Sequence, residues 1–180
     1  MSTDRKPATP HTRARNGAAT VPLDSADFDR ATRGFIADIA DRRVTDDAGR
    51  VVMDANNYDF LDRSNPAPDS VHPSLWRHAQ LNHHRGLYEV IPGVWQVRGY
   101  DISNITFIRG TKGWLVIDPL TTAATARAGY ELVSEHVEKL PVTAVIYTHS
   151  HTDHFGGVLG VTSQEAVEDR KSTRLNSSHA

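Results

Sequence analysis

An α+β fold is predicted for this chain by three observations. Four short runs rich in β-branched and aromatic residues, "LYEV", "VWQVRG", "NITFIRG" and "GWLVID", follow one another, punctuated by Pro92-Gly93 and by Gly110 to Gly113, both hairpin-turn signals. The stretch "TAATARAGYELVSEHVEKL" then carries Ala126, Tyr130, Val133 and Val137 on one helical stripe and runs out before Pro141. Finally, "VTAVIYT" is an apolar, β-branched run of the type buried within a sheet. The order hairpin, helix, strand predicts one sheet over residues 87–161 with a helix packed on it.

The preceding elements are read in order. Residues 1–22 are rich in Thr, Ala, Arg and Pro without apolar periodicity and read as a disordered, mildly basic lead. Phe28, Ala31, Phe35 and Ile39 recur at helical spacing, with Asp24 or Ser25 as the N-cap. "TDDAGR" reads as a turn, "VVMD" as a short strand, "NYDFLD" as one helical turn and "SNPAPDSVHP" as loop. Pro73 suits the first position of a helix through "SLWRHAQLN" that stops at Gly86. Residues 23–86 therefore read as a helical extension ahead of the sheet.

Composition excludes several classes. A net charge of -2 over 180 residues gives no basic field for nucleic acid or anionic lipid. The chain has no cysteine, which removes disulfides and thiolate ligands. No apolar run approaches the ~18 residues of a membrane span, and the amino-terminal stretch lacks the apolar core of a secretory signal. A cytoplasmic location is the expectation.

The chemistry concentrates in "YTHSHTDHFGG", where His149, His151, Asp153 and His154 fall within six positions at the end of the last apolar strand. Residues two apart in extended backbone point to one side, so His149 and His151 should face together. Gly156-Gly157 lets the chain turn sharply behind Asp153 and His154. Imidazoles with a carboxylate make a nitrogen and oxygen set suited to zinc, with iron or manganese as alternatives. One isolated histidine would mean little; this constellation after a buried strand is a metal-site signature. His72, His78, His83, His84 and His136 read as surface or helix-face residues.

"THSHTDHFGG" resembles the metal-binding signature of the metallo-β-lactamase superfamily, and "GWLVIDPL" resembles the superfamily strand that ends in an aspartate, here Asp118. "FDRATRGFIA", "HPSLWRHAQLN", "GLYEVIPGVWQVRGYDISNITFI" and "VIYTHSHTDHFGGVLGV" narrow the resemblance to the amino-terminal part of the alkyl sulfatases, over about residues 23–161. The resemblance implies an αββα sandwich, of which residues 87–169 are the first part, and zinc-dependent hydrolysis of alkyl sulfate esters in the full-length parent, with this truncated chain expected to be inactive by itself. It further implies two zinc ions per full-length site, a homodimer, and a later lipid-carrier-like domain. His149 and His151 would hold one zinc, Asp153 and His154 the other. Asp153 would also stand at the bridging water, and Asp118 would support the site from behind.

The family takes further acidic and histidine ligands from downstream, and this chain ends before them. "RKSTRLNSSHA" is polar and unpatterned, so residues 170–180 read as a non-native tail on a truncated reading frame. The apolar faces of "WLVI" and "AVIY" would then lack their covering sheet. Two alternatives stand beside the sulfatase reading: another hydrolase of the superfamily, such as a glyoxalase II-type thiolester hydrolase, and a non-enzymatic truncated product. Arg98, Asp101 and Asn104 read equally as loop structure or as site support.

Overall fold

A computed structural model describes residues 7–19, 24 and 26–169, and the backbone of 173–176. The chain divides into two compact units, Met1–Thr32 with Tyr58–His84, and Arg33–Asn57 with Arg85–Ala180.

The first unit contains α1 (Pro10–Gly17), α2 (Ala26–Thr32) and α3 (Pro73–Asn82). Helix α1 corrects the expectation of an unstructured lead. Thr9 Oγ1 accepts from the Thr12 N–H, Pro10 occupies the first turn, and Asn16 Nδ2 donates to Asp69 O at 2.7 Å. The helix is set by its cap rather than by an apolar face, which is why periodicity missed it. The remaining residues of that lead, 1–6 and 20–22, lie outside the described residues, as does Ser25; Asp24 Oδ1 accepts from Ala26 N and caps α2. Helix α3 begins at Pro73 as predicted and is capped by His72 Nδ1.

Helix α2 is shorter than the apolar spacing suggested. It ends at Thr32, and Gly34 turns the chain at φ 79. A Cβ there would sit 2.1 Å from Glu89 O, so only glycine fits. Phe35 and Ile39 leave the helix, and Phe35–Ala37 forms strand β1.

In the first unit Phe28 is buried with Arg63 over its ring at 4.3 Å and the His84 ring edge-on at 6.1 Å. Burial, with the Arg63 charge, lowers the His84 pKa below its ordinary 6.5. Above that value both folded and unfolded chains carry a neutral His84. As pH falls below it, the unfolded chain takes the proton first, so stability falls. Urea unfolding at pH 5.5 should give less stability than at pH 7.5, and His84→Phe should shrink the difference; an unchanged difference would exclude His84 as its source.

The second unit adds β2 (Arg43–Thr45), β3 (Val51–Asp54), β4 (Gly86–Ile91), β5 (Val94–Arg98), β6 (Ile105–Arg109), β7 (Trp114–Ile117), α4 (Ala123–His136), β8 (Val142–Tyr147), a short helix α5 (Gln164–Glu168) and β9 (Thr173–Asn176). Strands β2 and β3 form a separate hairpin around a turn built on Asp46, whose Oδ1 accepts from Ala48 N and Arg50 N. Residues 55–61 form a 3-10 helix where one helical turn was expected. Gly86, read as a helix stop, instead opens β4 at φ 111.

The main sheet has the order β1-β4-β5-β6-β7-β8-β9. Strands β4 to β7 run as an antiparallel meander, and the α4 crossover makes β8 parallel to β7. The α+β class follows. The helical extension read over residues 23–86 is divided, because the sheet takes β1 from it. Val97, Ile105, Phe107, Trp114, Val116 and Val145 share one face and are almost wholly buried. Gly129 lets α4 approach this face, since a Cβ there would already lie 3.2 Å from Ile105 Cγ2. Trp114 meets Trp95 and Phe107 edge-on at 5.4 and 6.1 Å. The opposite face carries Leu115, Ile117, Ala144 and Ile146, each partly exposed.

The tail read as unpatterned supplies β9, whose backbone pairs parallel to β8 from Ala144↔Thr173 to Tyr147↔Asn176. Residues 170–172 and 177–180 lie outside the described residues. No helix among the described residues is long and apolar enough to cross a membrane.

Candidate functional site

Parallel pairing of β7 with β8 brings two strand ends together. Ile117 lies beside Ile146, and Asp118 N donates to Ile146 O at 3.0 Å. Asp118 therefore leaves β7 level with Thr148 leaving β8, at the carboxyl edge where sheets of this kind place ligands. Asp118 and Leu120 both hold positive φ, 54 and 63. For side-chain-bearing residues such backbone costs about 1–3 kcal/mol each. The surroundings hold it in place. Thr148 N donates to Asp118 Oδ1 and Thr148 Oγ1 to Asp118 Oδ2, both at 2.8 Å, while Gly157 N donates to Leu120 O at 2.8 Å.

His149 and His154 are oriented by this frame, and His151 through His149. His154 Nδ1 stands 2.8 Å from Asp118 Oδ2, so its Nδ1–H donates there and its Nε2 is the atom that faces Asp153. Thr148 Oγ1 donates its one hydrogen bond to Asp118, so at 2.9 Å it accepts from His149 Nδ1, leaving the lone pair on His149 Nε2. The His149 ring lies 4.6 Å from that of His151 and 3.9 Å from that of His154. Two close donor pairs result: His149 Nε2 with His151 Nδ1 at 2.9 Å, and His154 Nε2 with Asp153 Oδ2 at 3.2 Å.

The second pair is informative. With His154 neutral and its proton on Nδ1, the Nε2 lone pair would meet a carboxylate oxygen, two acceptors facing one another. Such an arrangement calls for a cation or a proton between them. Two ligand atoms on one tetrahedral zinc, with bonds of ~2.0–2.1 Å, stand about 3.3 Å apart, close to the 3.2 Å of His154 and Asp153, whereas the 2.9 Å of His149 and His151 is a hydrogen-bond distance. Among the described residues, however, no three histidine, aspartate or glutamate side chains are placed to hold one ion together. The donors come in twos.

Behind the cluster, the two glycines of the signature serve clearance. A Cβ on Gly156 would lie 2.3 Å from Thr121 O, and one on Gly157 would lie 2.1 Å from Pro119 O. Sequence reasoning missed two supporting residues. Thr148 sets the His149 tautomer, and Ser103 Oγ donates to the Asp153 carbonyl. Asp101 is loop structure: it accepts from Thr121 N, Thr121 Oγ1 and Thr125 Oγ1 at 2.7–3.0 Å and ties its loop to the start of α4. Arg98 stacks on Tyr88 at 4.4 Å and donates to Gln96, away from the cluster's hydrogen bonds.

Comparison with known proteins agrees with this architecture. Residues 98–173 match the family model for the metallo-beta-lactamase superfamily. The linear primary-alkylsulfatase of a Pseudomonas species is 44% identical over 169 residues, covering 92% of this chain and 25% of that protein. An (R)-specific secondary-alkylsulfatase, also from Pseudomonas, is 45% identical over 173 residues, covering 94% of this chain and 26% of its own length. The solved structure of the stereoselective inverting sec-alkylsulfatase Pisa1 from Pseudomonas superposes with a TM-score of 0.87 at 44% identity, over 97% of this chain and 28% of that one. The chain thus spans about a quarter of the length of the curated relatives it matches. With its sheet, its strand-end aspartate and its histidine loop, the chain belongs to the metallo-β-lactamase superfamily, on the alkylsulfatase branch.

Proposed function

We propose that this chain carries the first metal-ligand segment of an enzyme that hydrolyses alkyl sulfate esters, converting R–O–SO3⁻ and water into R–OH and HSO4⁻. The activity is that of the relatives' full length, to which this chain corresponds over about a quarter. The observation that carries the reading is the pairing of donors. His149 with His151 would hold one zinc ion and Asp153 with His154 a second, each completed by other ligands. Bound zinc lowers the pKa of a coordinated water from 15.7 toward ~7.

The chain's own residues have defined tasks. Asp118 holds the proton of His154 on Nδ1 and, through Thr148, that of His149 on Nδ1, so both Nε2 lone pairs stay directed into the site. Asp153 Oδ2, the carboxylate oxygen beside His154 Nε2, would share the second ion with it and so stand next to the water that ion holds. Ser103 fixes the backbone that carries Asp153. The same reading takes the protein as a homodimer acting on a small-molecule ester in the cytoplasm.

The test is sulfate release from dodecyl sulfate by the full-length parent of this chain. Release should stop on addition of a chelator and fall by about 100-fold or more in His151→Ala, which removes a ligand. Chelator-resistant release, or hydrolysis of a glutathione thiolester without sulfate release, would overturn it.

A further inference from the structure

The loop between β5 and β6 is held at three places within the second unit. At its start Gly99 takes a positive φ of 75, and a Cβ there would lie 2.5 Å from Arg85 Cβ. Tyr100 follows and is almost wholly buried. Its hydroxyl donates to Asp38 Oδ1 at 3.0 Å and accepts from Ile39 N at 3.1 Å. Asp38 Oδ2 in turn accepts from Arg85 Nε at 2.9 Å, and both of those side chains are largely buried. In the middle, Asp101 ties the loop to the start of α4. At its end Ser103, also buried, donates to the backbone carbonyl of Asp153.

None of the hydrogen bonds within the histidine cluster involves Asp38, Arg85 or Tyr100. Stability alone does not call for this network, since an apolar residue at position 100 would fill the same space without enclosing an ion pair. What the hydroxyl adds is a fixed point. Burial and the Asp38 carboxylate push the Tyr100 pKa up, so the hydroxyl keeps its proton and remains a donor. Because its partners are already enclosed, further chain packed outside leaves these bonds as they are. Ser103 lies three residues on, so the point at which Tyr100 is pinned sets where Ser103 Oγ meets Asp153 O. Asp153 faces His154 Nε2 at 3.2 Å, and a ligand pair of that kind has to be held to within about 0.5 Å. We infer that Tyr100 is a positioning residue for the Asp153–His154 pair, acting through Ser103, an inference that rests on the donor-pair reading above.

The experiment uses the full-length parent, stripped of metal and titrated with zinc against a competing chelator. Tyr100→Phe keeps the ring and removes only the hydroxyl, and should weaken zinc binding by about three- to ten-fold. Ser103→Ala should weaken it by a similar factor. The double variant should be no weaker than Ser103→Ala, because the connection is then already cut. Hydrogen exchange of the metal-free proteins, followed by mass spectrometry, separates positioning from a general loss of stability. Tyr100→Phe should speed exchange in residues 149–157, where the amides of His154, Gly156 and Gly157 are hydrogen-bonded, and leave β8 unchanged. Should Tyr100→Phe not fold, Asp38→Asn takes its place with the same pattern expected, since it keeps an oxygen for Tyr100 and loses the ion pair with Arg85. Unchanged zinc affinity, or losses that multiply in the double variant, would overturn the inference and leave the donor pairs standing. Faster exchange throughout the sheet would also overturn it, by making the role one of stability alone. A parent that binds no zinc overturns the site reading and the inference with it.

Discussion

If the histidine loop binds zinc as proposed, replacing Asp118 by asparagine should lower zinc affinity by about 10–100-fold. Asparagine tolerates the left-handed backbone at this position, φ 54, so the turn after β7 survives. Its Oδ1 can still accept from Thr148 N. The other oxygen, which accepts from both Thr148 Oγ1 and His154 Nδ1, becomes an NH2 donor. A donor facing His154 Nδ1 reverses the ring's tautomer and puts the proton on Nε2, the atom that faces Asp153. That nitrogen then has no lone pair for a metal. Calorimetric zinc titration measures the loss, with circular dichroism confirming the fold; unchanged affinity would remove Asp118 from the site.

Gly157→Ala should destabilise the fold by about 1–3 kcal/mol and weaken zinc binding with it. The new Cβ would lie 2.1 Å from Pro119 O, 2.6 Å from Thr122 O and 2.9 Å from Ala126 Cβ. Two of these are backbone atoms, so no side-chain rotation relieves the clash. The loop must move away from the β7 turn, breaking the Gly157 N to Leu120 O bond and separating His154 from Asp118. Denaturant unfolding and zinc titration should show both losses together. Gly17→Ala is the control, because nothing lies within 4 Å of a Cβ there. Equal stability of the two variants would mean that the loop is not wedged as described.

What the sequence made legible depended on how local the cause was. Strands β4 to β8 and helix α4 carry their own apolar alternation and turn residues, so they could be read directly. His149 and His151 could be placed together from extended backbone alone. The lead from Phe28 to Ile39 misled because Phe35 and Ile39 fit a helical period by coincidence, whereas the true boundary is a clearance requirement at Gly34 against Glu89 O, 55 positions away in the chain. The Gly156-Gly157 pair was read as freedom to turn; its physical reason is contact with Thr121 and Pro119. Asp101, Ser103 and Thr148 act through partners that sheet topology brings near, and spacing along the chain contains no trace of those partners.

The central claim is that the loop after β8 presents metal ligands in two pairs, with tautomers fixed by Asp118. Nitrogen-15 spectra of the histidine rings during zinc titration test it most directly. The account predicts that His149 Nε2, His151 Nδ1 and His154 Nε2 move to metal-bound positions, while His154 Nδ1 keeps its proton toward Asp118. Ring signals unmoved by excess zinc, or zinc bound through His154 Nδ1, would contradict it.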